Sequence, residues 1–229
     1  SGGRHRCPGS QKLRPDVGAF SLKHAKPVKL PFGKGIFWQA VDAQAVSSAA
    51  SCLQSTAVRL VKDEPLRVLD LGCGSGIVAV MLALQRPQWQ IVGIDIQAPL
   101  IDLARKNARL NSLDIKFLCA DLKDYHDAEG FDLIVSNPPW LTKDSGRSSP
   151  SASKEQSRRE ISCDMHDVIA CLSRNLKAGK DALLLYPPQR FEQLKAECAQ
   201  YLLDIKATLF CAETQKHNIY HIKPLRMTP

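Results

Sequence analysis

Two hydrophobic periods alternate along the chain. Arg67–Leu71, Gln90–Asp95, Ile115–Cys119 and Phe131–Ser136 are short, nearly continuous apolar runs, as expected of strands covered on both faces. Between them, Ile77–Gln85 and residues 99–111 carry apolar side chains at helical spacing. Ahead of the first run, Val41, Ala45, Ser48, Ala49, Cys52 and Leu53 predict a helix over 41–61, ended by Lys62-Asp63-Glu64-Pro65. After Ser136 the pattern predicts a helix over 165–176, a buried strand over 182–186 and a helix over 190–201. Strands over 205–212 and 219–223, joined by the polar stretch 213–218, read as a hairpin closing the sheet. Such alternation of strand and helix is the signature of βαβ units and a parallel sheet. Two stretches carry no period. Residues 1–34 read as an arm or linker, and 142–159, rich in Ser, Lys and Arg, as a mobile loop beside the site.

Length divides the 229 residues into that arm, 1–34, and one α/β domain, 35–229. Hydrophobic content of 44% and charged content of 24% are ordinary for a soluble protein, and no run reaches the ~20 apolar residues of a bilayer span. No membrane association is expected. Ser1-Gly2-Gly3 lacks an initiator Met and an apolar run, so it reads as a cloning scar or internal cut, leaving room for an upstream domain. The eight cysteines have no zinc or redox spacing, and Cys119 and Cys211 sit in apolar runs where free Cys acts as a small hydrophobe. A cytoplasmic location and no metal are expected.

The net charge of +8 is concentrated in the arm. Arg4, Arg6, Lys12, Arg14, Lys23, Lys26, Lys29 and Lys34 against Asp16 give residues 1–34 a charge of +7, leaving +1 for the rest. A basic arm attracts a phosphate backbone through counterion release, although a solvated tail has the same composition.

The strongest chemical signal is Val68-Leu69-Asp70-Leu71-Gly72-Cys73-Gly74-Ser75-Gly76, an apolar strand running into a Gly-rich turn that opens a helix. Such glycines let a backbone approach a ligand closely. A dinucleotide fingerprint would want glycine where Ile77 stands. Asp95 ends the next strand, where a carboxylate can accept hydrogen bonds from ribose hydroxyls. From about residue 35 to the end, Asp-Leu-Gly-Cys-Gly-Ser-Gly followed by Gly-Ile-Asp resembles class I S-adenosylmethionine-dependent methyltransferases. The resemblance implies a Rossmann-like α/β fold, a seven-stranded, mostly parallel sheet with helices on both faces and an antiparallel terminal hairpin. It implies S-adenosylmethionine as cofactor, with Asp70, Gly72, Cys73, Gly74 and Gly76 under its methionine part. Asp95, with Ile96, would hold the ribose, and Asp121, with Leu122, would face the adenine amine unless Asp121 only caps the next turn.

Asn137-Pro138-Pro139-Trp140 directly follows an apolar strand. A loop beyond the carboxyl end of a strand faces the ligand crevice, and two prolines fix the backbone and remove N–H donors. The Asn137 side-chain oxygen and Pro138 carbonyl could then accept hydrogen bonds from a planar NH₂ group, favouring a pyramidal nitrogen, with Trp140 stacking on the flat target. This tetrapeptide resembles the Asn-Pro-Pro-aromatic motif of amino methyltransferases acting on adenine, guanine or a glutamine amide, where Tyr or Phe is commoner than Trp. Asn137 is thereby placed in both the catalytic and the cofactor set.

Weaker features are Phe37, Trp38 and Gln39, a segment that often covers the cofactor in that family although Trp38 also suits a core anchor. His126, His166, His217 and His221 form no metal spacing, and Asp164 and His166 read as helix caps. Lys143, Arg147, Lys154, Arg158 and Arg159 in the 142–159 loop suit RNA phosphates or a solvated loop equally. With Asp42 in the first helix, the arrangement is most similar to bacterial tRNA adenine-N6 methyltransferases. The expected function is methylation of an adenine exocyclic amine in tRNA by a monomer, with RNA (tRNA or rRNA) as partner. A glutamine-amide protein methyltransferase, a guanine-specific rRNA methyltransferase and an RNA-binding module with a vestigial cofactor fold are the competing readings.

Overall fold

A computed structural model describes residues 25–30, 35–40, 48–137, 164–211 and 217–225. In chain order the elements are β1 (Ala25–Lys29), β2 (Ile36–Ala40), α1 (Ser48–Leu60), β3 (Arg67–Leu71), α2 (Ile77–Gln85) and β4 (Gln90–Asp95). There follow α3 (Ala98–Leu110), β5 (Ile115–Cys119), β6 (Phe131–Ser136), α4 (Met165–Asn175), β7 (Leu176–Tyr186), a 3₁₀ turn (Pro188–Arg190), α5 (Phe191–Gln200), β8 (Leu203–Phe210) and β9 (Asn218–Pro224).

Seven strands form one sheet in the order β5-β4-β3-β6-β7-β9-β8. β3, β4, β5, β6 and β7 pair in parallel, and β9 is antiparallel to both β7 and β8. The sheet bears out the expected fold class. Period-two alternation distributes each strand between two cores. Val68, Leu133, Val135, Leu183 and Leu185 pack toward α1, α2 and α3, while Leu69, Leu71, Ile134 and Leu184 pack toward α4 and α5. Because the chain leaves β3 first toward β4 and later returns to β6 on its other side, a crevice opens at the carboxyl ends of β3 and β6.

Three sequence expectations shift. Residues 25–29, read as part of an unstructured arm, form β1, which pairs antiparallel with β2 from Ala25↔Ala40 to Lys29↔Ile36. The buried strand expected over 182–186 begins at Leu176, because β7 continues through an irregularity at Gly179 (φ +71°). Between successive pairs with β6, β7 jumps from Leu176 to Asp181 while β6 advances only from Phe131 to Leu133. The helix expected over 41–61 is Ser48–Leu60; residues 41–47, with Asp42, lie outside the described residues, as does the loop 142–159.

Candidate functional site

The Gly-rich turn is fastened to β4 by its own backbone. Gly72 and Cys73 donate their N–H groups to the Ile94 carbonyl, each at 2.9 Å. Gly74 N–H reaches Asp95 Oδ2 at 2.9 Å, and Gln97 N–H reaches Asp95 Oδ1 at 2.9 Å. One carboxylate thus joins the turn to the start of α3. Gly74 adopts φ +53°, and a Cβ there would meet nothing within 4 Å, so this side of the turn faces open space. Gly76 has φ +83° and the opposite surroundings: a Cβ would meet the Phe117 ring at 2.7 Å. Phe117, on β5, is the floor of the turn, and it also crowds Gly93 at 2.6 Å.

Asp70 lies beneath the turn and is 2% exposed. Its Oδ2 accepts the Ala79 N–H at 3.1 Å, capping α2 from a distance where Gly76 supplies no side-chain cap. Burial first, and then the Asp95 charge, push its carboxyl up to about 7 against the partial relief of the Ala79 bond. Burial also raises Asp95, opposed by the bonds from Gln97 and Gly74, and pushes the Cys73 thiol well up. Neither Cys73 nor Asp70 is poised as a nucleophile.

Ile96, next to Asp95, is 48% exposed although large and apolar. Asp121 Oδ1 accepts the Lys123 N–H at 2.9 Å, and its carbonyl accepts N–H groups of Asp124 and Tyr125, the turn-capping geometry weighed from the sequence. Leu122 packs against the α4 and α5 core. On β6, Ser136 Oγ donates to the Leu71 carbonyl at 2.7 Å, locking the carboxyl ends of the two central strands together. Asn137 therefore leaves the sheet, half-buried, on the strand neighbouring the one that feeds the Gly-rich turn. Pro138, Pro139 and Trp140 lie outside the described residues.

Sequence reasoning missed Asn107. It is fully buried on α3, its Oδ1 accepting Trp38 N–H at 2.8 Å and its Nδ2 donating to the carbonyls of Trp38 (2.9 Å) and Ser75 (3.1 Å). The available signal was a polar residue at helical spacing from Leu103 and Ala104, on the buried face of an amphipathic helix. Phe37 and Gln39 are buried and Trp38 is half-buried under the Lys106 ammonium, 6.0 Å from the ring centroid. The histidines are not brought together. His166 lies between Glu197 (3.2 Å) and Tyr201 (3.0 Å), and His221 bonds Asp181 at 2.6 Å. Asp164 occupies the N-cap of α4, but through its carbonyl, which accepts Val168 N–H at 3.2 Å, and without a side-chain cap. Among the described residues no group of three or more His, Cys, Asp or Glu side chains could hold a metal ion, and no helix is long and apolar enough to cross a membrane.

Residues 38–152 match the family model described as the methyltransferase small domain. The chain is 29% identical over 170 residues to the tRNA1(Val) (adenine(37)-N6)-methyltransferase of Porphyromonas gingivalis, covering 71% of this chain and 64% of that protein. It is 38% identical over 81 residues to the release factor glutamine methyltransferase of Lactococcus lactis, covering 35% of this chain and 30% of the relative. The chain thus spans less than two thirds of these relatives. Among solved structures, the 16S rRNA N2 G1207 methyltransferase of T. thermophilus, in complex with AdoMet and guanosine, has the same fold, with a TM-score of 0.63 at 19% identity over 88% of this chain and 50% of that one.

Proposed function

The chain belongs to the methyltransferase small domain family, and from that premise we propose that it is an S-adenosylmethionine-dependent N-methyltransferase acting on the exocyclic amine of an adenine in tRNA. The observation that carries the reading is that Asn137 directly follows β6, the strand beside the one that feeds the Gly-rich turn, at the point where Ser136 bonds Leu71. The open space above Gly74 and the exposed apolar face of Ile96 fit a nucleoside ligand with a charged tail. Gly72, Cys73, Gly74 and Gly76 would lie under its methionine part, Asp95 would accept from the ribose hydroxyls, Ile96 would cover the base, and Asp121 with Leu122 would border its amine. Asp70 acts one layer below by fixing the turn on α2.

When bound, the cofactor supplies an electrophilic methyl on a sulfonium. What the chain must add is alignment. The lone pair of an aryl amine is delocalised into the ring, and acceptors at the Asn137 side-chain oxygen and the Pro138 carbonyl would draw its two N–H groups out of plane and aim the nitrogen at the methyl. Positioning of this kind supplies much of the rate without a strong general base. Trp140 would stack on the adenine. The positive charge of residues 1–34 favours RNA over protein as the acceptor, and the P. gingivalis relative, matched over 170 residues, acts, by its name, on a tRNA adenine.

A second reading, the glutamine amide of a protein, is favoured by the higher local identity to the release factor enzyme. Transfer of labelled methyl to total tRNA, rRNA and cytosolic protein from cells lacking the enzyme separates the two. Label recovered as methylated adenine in tRNA is expected. Label confined to protein assigns the glutamine amide, and label recovered as methylguanine in rRNA assigns the guanine reading.

A further inference from the structure

The hairpin and α3 present one continuous outward surface. In β2, Ile36 and Trp38 share a face by strand alternation, and their cross-strand partners on β1, Lys29 and Pro27, share it too. Along α3, Lys106, Arg109 and Leu110 are three and four residues apart, on one helix face. The two faces meet. Lys106 Nζ lies 6.0 Å from the Trp38 ring centroid, and Asn111, next to Leu110, bonds both the N–H (2.8 Å) and the carbonyl (2.7 Å) of Ile36. Ile36 is 54% exposed and Leu110 43% exposed, so two of the large apolar residues left in water lie on these two adjoining elements, which also carry three cations.

Those cations are not neutralised by a described acid. Among the described residues Lys29, Lys106 and Arg109 enter no ion pair, and Asp102, the acid of α3, is held by Arg105 at 3.2 Å. Asp114, beyond the helix, is the other acid of this segment. In sequence it follows a basic stretch, since residues 1–24 carry Arg4, Arg6, Lys12, Arg14 and Lys23 against Asp16. It borders the candidate site as well, because Asn107 joins the Trp38 backbone to Ser75 of the Gly-rich turn.

We propose that this face, with Lys29, Lys106 and Arg109 as phosphate contacts around Trp38, docks the single-stranded RNA backbone that flanks the methylated nucleotide. The inference rests on the RNA reading above. Cations spaced along an apolar, aromatic-bearing surface suit a strand whose phosphates are neutralised while its sugars and bases lie on the apolar ground between them. Lys29, Lys106 and Arg109 are not among the residues proposed to hold the cofactor or the target amine.

The test is the salt dependence of binding a fluorescein-labelled single-stranded RNA, read by anisotropy on the full chain carrying Lys29→Gln, Lys106→Gln and Arg109→Gln. The slope of log K against log salt should fall by about 2, at about 0.7 per lost contact, while titration with S-adenosylmethionine is unchanged. A control with Arg59→Gln, Lys62→Gln and Lys195→Gln removes the same charge from α1, the turn after it and α5. Equal slope loss in both triple variants would reduce the effect to net charge and overturn the proposal. An unchanged slope in the first, where the parent chain itself binds RNA steeply, overturns the proposal and leaves the RNA reading standing. If that unchanged slope accompanies lost binding to phosphatidylserine vesicles, the face belongs to a membrane. A parent chain that binds no RNA at all overturns both.

Discussion

Trp38 and Asn107 exchange two hydrogen bonds across 69 positions of sequence, Trp38 N–H to Oδ1 at 2.8 Å and Nδ2 to the Trp38 carbonyl at 2.9 Å. To the backbone of β2 the amide side chain looks like the peptide group of a neighbouring strand. Asn111 repeats the arrangement one turn further along α3 with Ile36. The edge of β2 that does not face β1 is therefore paired by side chains.

Asn107→Leu keeps the volume and removes the amide, leaving the Trp38 N–H and carbonyl and the Ser75 carbonyl without that partner. An unsatisfied buried group costs ~1–3 kcal/mol. A loss of about 3 kcal/mol should lower Tm by about 6–12 °C, at ~2–4 °C per kcal/mol for a chain of this size. Calorimetry on Asn107→Leu and Asn111→Leu compares a buried pairing with a more exposed one. A larger loss at Asn111 would contradict the ranking.

Asp70→Asn addresses the buried carboxyl. Its folded pKa is raised from 3.8 to about 7, so between these values the native state holds a proton that the unfolded chain has released. Stability must then fall as pH rises through this window and level off above it. The amide removes the titration at a fixed, pH-independent offset. Urea unfolding from pH 4 to 8 should show the variant gaining on the parent by on the order of 1 kcal/mol per pH unit up to about pH 7. Parallel curves would mean that Asp70 titrates normally.

Gly93→Ala introduces a Cβ 2.6 Å from the Phe117 ring and 3.0 Å from Cys73 Sγ. Phe117 is buried beneath the turn, where its ring also crowds Gly76. Overpacking should cost ~1–3 kcal/mol. Adding Phe117→Leu should recover part of that loss, seen as a positive coupling in a double-mutant cycle; additive losses would place the strain elsewhere.

Asn137→Ala should abolish methyl transfer and leave S-adenosylmethionine affinity, measured by calorimetric titration, nearly intact. Equal loss of both would defeat the division of labour between this residue and the Gly-rich turn.

The boundary of the basic arm is testable at two cuts. A chain starting at Ala25 keeps every contact described and should retain the parent Tm while its RNA affinity loses part of its salt dependence, the share of Lys29, Lys106 and Arg109 remaining. One starting at Gly35 lacks β1 and the buried Leu30, and should unfold several degrees earlier. Equal Tm values for the two would show that β1 adds no stability.

How much of this was legible depends on where each signal resides. β3, β4, β5 and β6 announce themselves because both faces of a central strand are covered, and Arg67–Leu71 and Phe131–Ser136 are accordingly apolar runs within one or two residues of polar breaks. Gly72, Gly74 and Asp95 were legible because a tight turn and a strand-end carboxylate leave local traces. β1 was not, since Lys26, Pro27 and Lys29 leave only Val28 as an inward apolar residue, and its partner strand is held by asparagines some 70 positions away. Nor could the early start of β7 be read, because Gly179 at φ +71° interrupts its pattern with a bulge that only the pairing with β6 defines.

The order β7-β9-β8 has a consequence for how the molecule is made. β8 precedes β9 in the chain yet touches the sheet only through it. The strands that carry the Gly-rich turn, Asp95 and Asn137 all precede β8 in the chain, whereas β8 has nothing to pair with until β9 is present. The far edge of the sheet must therefore arrive as a finished hairpin. A nick between Cys211 and Asn218 would uncouple the arrival of its two strands without touching a single residue of the candidate site.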